Sequence, residues 1–118
     1  MTGERMSCPF CKILNGEAPA NVIYRDEIVT AFRDIHPIAR THILIIPNRH
    51  IGSVNELEAA DESLAGHMVM VAKKLAVQEG VAEHGYRLMI NTGAHGGQTI
   101  PHLHLHLIAG KLARFLIG

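Results

Sequence analysis

The chain contains no tryptophan, and aromatic residues make up only 4% of its 118 residues. No apolar run approaches the ~20 residues that a membrane-spanning helix requires. Basic and acidic residues are equal in number, 11 of each, so neither sign of charge is in excess. This balance argues against a basic nucleic-acid-binding surface and against a polybasic membrane patch. We therefore expect partners other than nucleic acids and membranes.

Cysteine is also rare, with only Cys8 and Cys11 at Cys-x-x-Cys spacing. Residues 1–7 contain no apolar stretch of the kind found in signal peptides, so we expect a cytoplasmic protein. In a reducing compartment this spacing indicates a metal site or reduced thiols before it indicates a structural disulfide.

What the chain does contain is an ordinary globular composition, with 47% apolar and 19% charged residues. Its length predicts one domain, residues 1–118, which can bury roughly two-thirds of its unfolded surface. Five apolar or β-branched runs predict strands. They are residues 22–24, 28–32, 42–46, 86–91 and 103–109.

Apolar residues at three- and four-residue spacing predict one long amphipathic helix over residues 56–79, with Gly80 ending it. Residues 8–16 predict a short helical turn near the N-terminus. Together these elements predict an α+β domain in which a mostly antiparallel sheet packs against the long helix. A small sheet of this kind leaves edge strands that need to be covered.

Residues 102–107 alternate histidine with leucine. On a β-strand, residues two apart point to the same face, so His102, His104 and His106 would share one face and the leucines the other. Three interpretations compete for the histidine face. It is a half-exposed strand, a metal site with two nitrogens on one zinc, or a site of covalent phosphorus chemistry.

The residues just before this strand, 91–101, form a polar loop that contains three glycines. Glycines allow backbone N–H groups to converge on an anion, and the side chains of Gln98 and Thr99 add further donors. The loop is not a Walker motif, because no Gly-Lys-Ser/Thr follows and the next predicted element is a strand. A glycine loop that leads directly into a histidine face indicates a phosphate site beside a nucleophile.

Residues 91–110 resemble the signature of the histidine triad (HIT) family, in which three histidines alternate with apolar residues. Residues 102–108 match that motif completely, and the similarity extends over residues 8–13, 34–37, 41–47 and 50–51. The chain is most similar to the Hint-like branch of the family. The resemblance implies a HIT-like fold, with a five-stranded mostly antiparallel sheet, one long helix and a short N-terminal helix. It also implies a homodimer in which two subunits form one continuous sheet.

The resemblance implies a hydrolase that cleaves the P–N bond of purine nucleoside 5′-monophosphoramidates and binds purine nucleotides such as AMP, ADP and adenosine phosphoramidates. His104 would be the nucleophile and would form a nucleotidyl-histidine intermediate. His106 and His42 would relay protons, His102 would complete the triad, and no metal would be required for catalysis. The nucleotide contacts implied by the resemblance are Asp34, Ile35, Asn91, Gly97, Gln98 and Thr99.

The family resemblance also implies a structural zinc site made by Cys8, Cys11, His50 and His102. The alternative is a pair of reduced thiols without metal. The two roles of His102 conflict, because a histidine that binds zinc cannot serve as a free acid or base.

Two features depart from the family pattern. Residues 111–118 lack the tryptophan-containing tail of Hint-like proteins, and His95 stands where family loops are often acidic. Two alternative functions remain open from the sequence. One is a dinucleoside polyphosphate hydrolase of the other HIT branch, and the other is a non-catalytic nucleotide- or zinc-binding regulator.

Overall fold

The computed structural model of the chain describes residues 7–110. The tail over residues 111–118, where the sequence departs from the family pattern, lies outside the described residues. Among the described residues, no helix is long and apolar enough to cross a membrane.

Five strands form one sheet in the order β1-β2-β3-β5-β4, and every neighbouring pair is antiparallel. The strands are β1 (Val22–Arg25), β2 (Val29–Arg33), β3 (Thr41–Pro47), β4 (Arg87–Met89) and β5 (Leu105–Ala109). The central strand, β3, is buried at all seven positions, as its run of isoleucine and leucine predicts for a strand covered on both faces. The strands β1 and β4 form the two edges of this sheet.

A helix covers each face of the sheet. The short helix α1 (Pro9–Leu14) packs through Phe10 against Phe32, Leu44 and Ile46. The long helix α2 (Glu62–Gln78) packs through residues such as Met68, Val71 and Leu75 on the opposite face. The predicted α+β fold is confirmed, with α1 on one face of the sheet and α2 on the other.

The start of the long helix differs from the prediction. Residues 56–61 do not continue α2, because Leu57 and Glu58 have extended backbones, with ψ of 143° and 172°. Two short 3₁₀ turns, Val54–Glu56 and Ala59–Asp61, occupy this segment, and the carboxylate of Asp61 accepts from the Glu58 N–H at 3.0 Å. The C-terminal end of α2 agrees with the prediction, since Gly80 follows the helix with a φ of 74°.

The last strand also begins later than predicted, at Leu105 instead of Leu103. In the β3–β5 register, Ile45 lies opposite Leu105, so Pro47 would lie opposite Leu103. Pro47 has no N–H to donate, which favours an end to the ladder at this point. The predicted alternation survives, because Leu103, Leu105 and Leu107 all join the core beneath α2.

A polar clamp joins the β1–β2 turn to α2. Both oxygens of the Asp26 carboxylate accept hydrogen bonds, one from the N–H groups of Ile28 and Val29 at 2.7 and 2.8 Å. The other accepts from the Tyr24 hydroxyl and faces Nε2 of His67, each at 2.7 Å. The turn is therefore fixed both within the hairpin and to the helix.

Candidate functional site

The imidazole of His104 is buried just before β5 and is held in one tautomer. Its Nδ1 lies 2.6 Å from the backbone carbonyl oxygen of His102. Because a carbonyl can only accept, Nδ1 carries the hydrogen and donates it, which leaves the lone pair on Nε2. His104 therefore presents a neutral nitrogen nucleophile with a fixed orientation.

Two rings pack around His104. The ring of Phe10 meets it edge-on with centroids 5.2 Å apart, and the ring of His106 lies 4.9 Å away. Phe10 also contacts the ring of His102 at 5.8 Å. The sequence reasoning assigned no role to Phe10, although its position between the two cysteines placed it beside the predicted metal site.

A chain of hydrogen bonds fixes the tautomers of His42 and His106. The N–H of Ile38 donates to Nδ1 of His42 at 3.2 Å, so neutral His42 carries its hydrogen on Nε2. That Nε2 lies 2.9 Å from Nδ1 of His106, which must then accept. The remaining hydrogen of His106 is on Nε2, and this buried atom has no partner among the described residues. A buried donor without an acceptor is uncommon, so this position is a candidate for contact with a ligand.

Burial of the imidazole rings keeps His42 and His106 uncharged. Burial is the largest cause that lowers the pKa of His106, to about 4, and the neighbouring His104 and His42 lower it further. Burial also lowers the pKa of His42, while the carboxylate of Asp34 partly opposes this change. Without a ligand, the His42–His106 pair is therefore neutral at neutral pH.

Asp34 lies at the end of β2, next to this pair. One of its oxygens accepts from the N–H of His36 at 2.8 Å, and the other lies 3.4 Å from Nε2 of His42. Beside it, Ile35 exposes 78% of its surface, which is unusual for an apolar side chain of this size. A carboxylate and an exposed apolar surface thus lie together at the rim of the histidine site.

The four predicted metal ligands also come together. Their ligand atoms, on Cys8, Cys11, His50 and His102, all lie within 4.8 Å of one another. Nδ1 of His102 is 3.3 Å from Sγ of Cys8 and 3.6 Å from Sγ of Cys11, and Nδ1 of His50 is 3.1 Å from Sγ of Cys11. In a tetrahedral zinc site the ligand atoms are separated by roughly 3.3–3.8 Å. These residues therefore fit a zinc ion, and we call them the Cys₂His₂ cluster.

A hydrogen bond on the far side of the His102 ring supports this assignment. Nε2 of His102 lies 3.1 Å from the carbonyl oxygen of Pro47, which directs its Nδ1 lone pair towards the two sulfurs. A second group, Asp34, His42 and His106, also brings its ligand atoms within 4.8 Å. There, however, Nδ1 of His42 accepts from the Ile38 N–H, so Nε2 carries a hydrogen and cannot bind a metal without a tautomer change. The geometry favours a metal at the first group and a proton chain at the second.

The glycine loop lies beside the histidines in sequence and contains a 3₁₀ turn, Ala94–Gly96. Gly93 and Gly97 have φ values of 72° and 84°, a conformation that other residues rarely adopt. Thr99 and His95 are exposed, and Asn91 is half-buried. Gln98 is a predicted nucleotide contact, and both the oxygen and the nitrogen of its side-chain amide bond to the protein backbone.

The sequence matches the HIT domain family over residues 15–112. It is 54% identical to the purine nucleoside phosphoramidase of Escherichia coli strain K12 over 102 residues, which covers 86% of each chain.

Solved structures agree with this match. The crystal structure of a HIT family hydrolase from Legionella pneumophila superimposes with a TM-score of 0.87 at 48% identity, covering 89% of this chain and 94% of that one. A zinc-bound histidine triad family protein from Mycobacterium smegmatis superimposes with a TM-score of 0.79 at 34% identity, covering 91% and 77%. The complete histidine motif, the sheet order and these similarities lead to one conclusion: the chain belongs to the HIT domain family.

Proposed function

We propose that this protein hydrolyses the P–N bond of purine nucleoside 5′-monophosphoramidates through a nucleotidyl-histidine intermediate on His104. The observation that carries the proposal is the fixed tautomer of His104, whose Nδ1 donates to the His102 carbonyl while Nε2 keeps its lone pair. The similarity to a bacterial purine nucleoside phosphoramidase supports the substrate class.

In the first step, the lone pair on Nε2 of His104 attacks phosphorus and the P–N bond breaks. The bonding electrons remain on the leaving nitrogen, which must take a proton because an amine cannot depart as its anion. An anionic phosphate beside the His42–His106 pair raises the pKa of these imidazoles, so substrate binding favours uptake of one proton there. Nε2 of His106 then delivers this proton to the amine.

In the second step, water attacks the nucleotidyl-histidine, a P–O bond forms and the bond from phosphorus to Nε2 of His104 breaks. The proton released by water passes to the His42–His106 pair, which regains the charge it had with substrate bound. The pair loses this proton to solvent when the nucleotide product leaves, and the site is then neutral again. Asp34 would accept from the ribose hydroxyls, and the exposed side chain of Ile35 would flank the base.

The glycine loop supplies the phosphate contacts in this proposal, through Asn91, Gly97 and Thr99. The Cys₂His₂ cluster would hold a zinc ion that cross-links α1 to the segment before β5. Zinc would supply no chemistry to the reaction and would act through structure alone. His102 would then contribute its carbonyl to His104 and would not act as an acid or base.

Two copies of the chain would join through β4, which is an edge strand of the sheet. An unpaired strand edge offers N–H and C=O groups to an identical strand, and Ile90 beside it is 40% exposed. The proposed homodimer would thereby cover this edge.

The test compares wild type with His104→Ala on an AMP amide. Loss of the nucleophile should lower kcat/KM by several orders of magnitude, while AMP binding should change only a few-fold. The matched control is His84→Ala, which removes an exposed histidine from the connection between α2 and β4 and should behave as wild type.

Mass spectrometry of acid-quenched wild type should also detect the nucleotidyl adduct, and the His104→Ala variant should lack it. Ordinary turnover by His104→Ala would contradict the assignment. Faster cleavage of diadenosine polyphosphates than of AMP amides would instead support the other HIT branch.

A further inference from the structure

Gln98 ends the glycine loop and uses its whole side-chain amide within the protein. Its Oε1 accepts from the N–H of Gly93 at 2.9 Å. Its Nε2 donates to the carbonyl oxygen of Gly52 at 2.7 Å and to that of Ile100 at 2.9 Å. Both amide hydrogens are therefore engaged, and neither is left for a ligand.

These bonds close the loop at Gly93. The carbonyl oxygen of Gly93 accepts from the backbone N–H groups of Gly96 and Gln98, at 3.1 and 3.0 Å. The side chain of Gln98 adds the bond to the Gly93 N–H. Since residues 93–97 are exposed and include three glycines, few other contacts restrict their conformation.

The side-chain nitrogen of Gln98 bonds to residues 51–52, which also bond to the segment that carries His104. The carbonyl oxygen of Ile51 accepts from the N–H of Leu103, between His102 and His104, at 2.6 Å. The adjacent carbonyl, that of Gly52, accepts from Gln98. Residues 51–52 are thus a common support for the glycine loop and for the segment that carries His104.

This support is itself fixed. The N–H of Gly52 donates to the Glu56 carboxylate at 3.0 Å. A Cβ on Gly52 would collide with the same carboxylate, so a larger residue at this position would displace the end of the Glu56 side chain. A series of contacts runs from Glu56 through Gly52 and Gln98 to Gly93.

We infer that Gln98 is a positioning residue that sets the placement of the anion-binding glycine loop relative to His104. The inference rests on the proposed function for the identity of the anion, a nucleoside 5′-phosphate. A loop held in place before binding loses less conformational freedom when the phosphate arrives. Gln98 therefore contributes to phosphate affinity without touching the phosphate.

The experiment uses Gln98→Met, which keeps the length of the side chain and removes its polar atoms. We expect AMP binding, measured by calorimetry, to weaken roughly ten-fold, while adenosine binding changes less than about two-fold. In the ligand-free protein, amide hydrogen exchange at Gly93 should become faster. Gln78→Met is the matched control, because it makes the same change at an exposed position on α2.

Two results would overturn the inference. One is unchanged AMP affinity in Gln98→Met. The other is weaker AMP binding with unchanged exchange at Gly93, which would mean that Gln98 contacts the phosphate directly. If Gln98→Met does not fold, Gln98→Asn replaces it, since the shorter amide cannot reach Gly93 and Gly52 together and should show both effects. Wild-type protein that binds AMP but does not cleave its amides would contradict the proposed function alone.

Discussion

The tautomer of each histidine in this site is set by the group that faces its ring nitrogens. A carbonyl fixes His104, and a backbone N–H fixes His42, which in turn determines His106. The backbone therefore determines the tautomers of His104 and His42, and the side chain of His42 determines that of His106. Burial lowers the pKa of His42 and of His106, so both of these rings are neutral at neutral pH.

This neutrality predicts how stability depends on pH. The pKa of His106 is about 4 in the folded protein, against about 6.5 in an unfolded chain. Between these values the unfolded state binds more protons, so the free energy of unfolding should fall as pH falls from about 6.5 to about 4. The slope approaches ~1.4 kcal/mol per pH unit for one such histidine.

His106→Asn tests this prediction, because Asn keeps a polar side chain there but cannot titrate. Urea unfolding of this variant at several pH values should give a free energy of unfolding that depends less steeply on pH in this window than in wild type. The difference in slope should correspond to about one bound proton. Any contribution from the Cys₂His₂ cluster is common to both proteins. Equal slopes in the two proteins would show that His106 does not cause the effect.

The residues of the site differ in how far the sequence could predict them. The alternation of histidine and leucine was sufficient to separate the faces, and His50 and His102 were brought to the cysteines as the family resemblance implied. The backbone hydrogen bonds of Gln98 were not predictable, because a glutamine in a glycine loop has the same donors whether it faces a phosphate or the backbone. Only the positions of Gly93 and Gly52 in space distinguish the two.

At the scale of elements, the five strands and both helices follow from hydrophobic spacing, while their ends depend on local bonds. The helix α2 begins six residues later than predicted, at Glu62, because the apolar spacing of residue 57 also suits an extended segment that packs against the core. Likewise, β5 begins only at Leu105, opposite Ile45, because Pro47 has no N–H for a further ladder bond. Single backbone groups thus determine where α2 and β5 begin, and hydrophobic periodicity contains no information about these groups.

The clamp at the β1–β2 turn gives a prediction for an element. Although burial raises it, hydrogen bonds from the Val29 N–H, His67 and Tyr24 hold the pKa of Asp26 well below its usual range. Asp26→Asn would place an amide donor against groups that already donate. We expect the free energy of unfolding to fall by about 1–3 kcal/mol, measured by urea denaturation.

The control for this change is Glu27→Gln, which neutralises the exposed carboxylate next along the chain. Surface changes of that kind usually alter stability by less than about 0.5 kcal/mol. A loss of similar size in both variants would show that net charge, and not the clamp, accounts for the effect.

For the whole molecule, the Cys₂His₂ cluster joins α1 to the sheet. If it holds zinc, elemental analysis should find about one zinc per chain, and chelation should lower Tm, because metal affinity becomes folding free energy. Cys8→Ser should reproduce this loss of Tm. Activity at low temperature should fall much less in Cys8→Ser than in His104→Ala.

The opposing result is equally clear. Protein without zinc, whose two cysteines react readily with a thiol reagent in the native state, would show a pair of reduced thiols. The metal assignment would then be wrong, and His102 would be an unencumbered member of the triad.

Cys8 and His102 meet although they are 94 positions apart in the chain. During synthesis, this contact cannot form until residue 102 has left the ribosome. A nascent chain that stops before residue 102 contains Cys8, Cys11 and His50, but it lacks both His102, the fourth member of the cluster, and His104. Because His102 and His104 are only two residues apart, completion of the cluster and arrival of the nucleophile are nearly one event in the synthesis of the protein, and a chain that stops before residue 102 has neither.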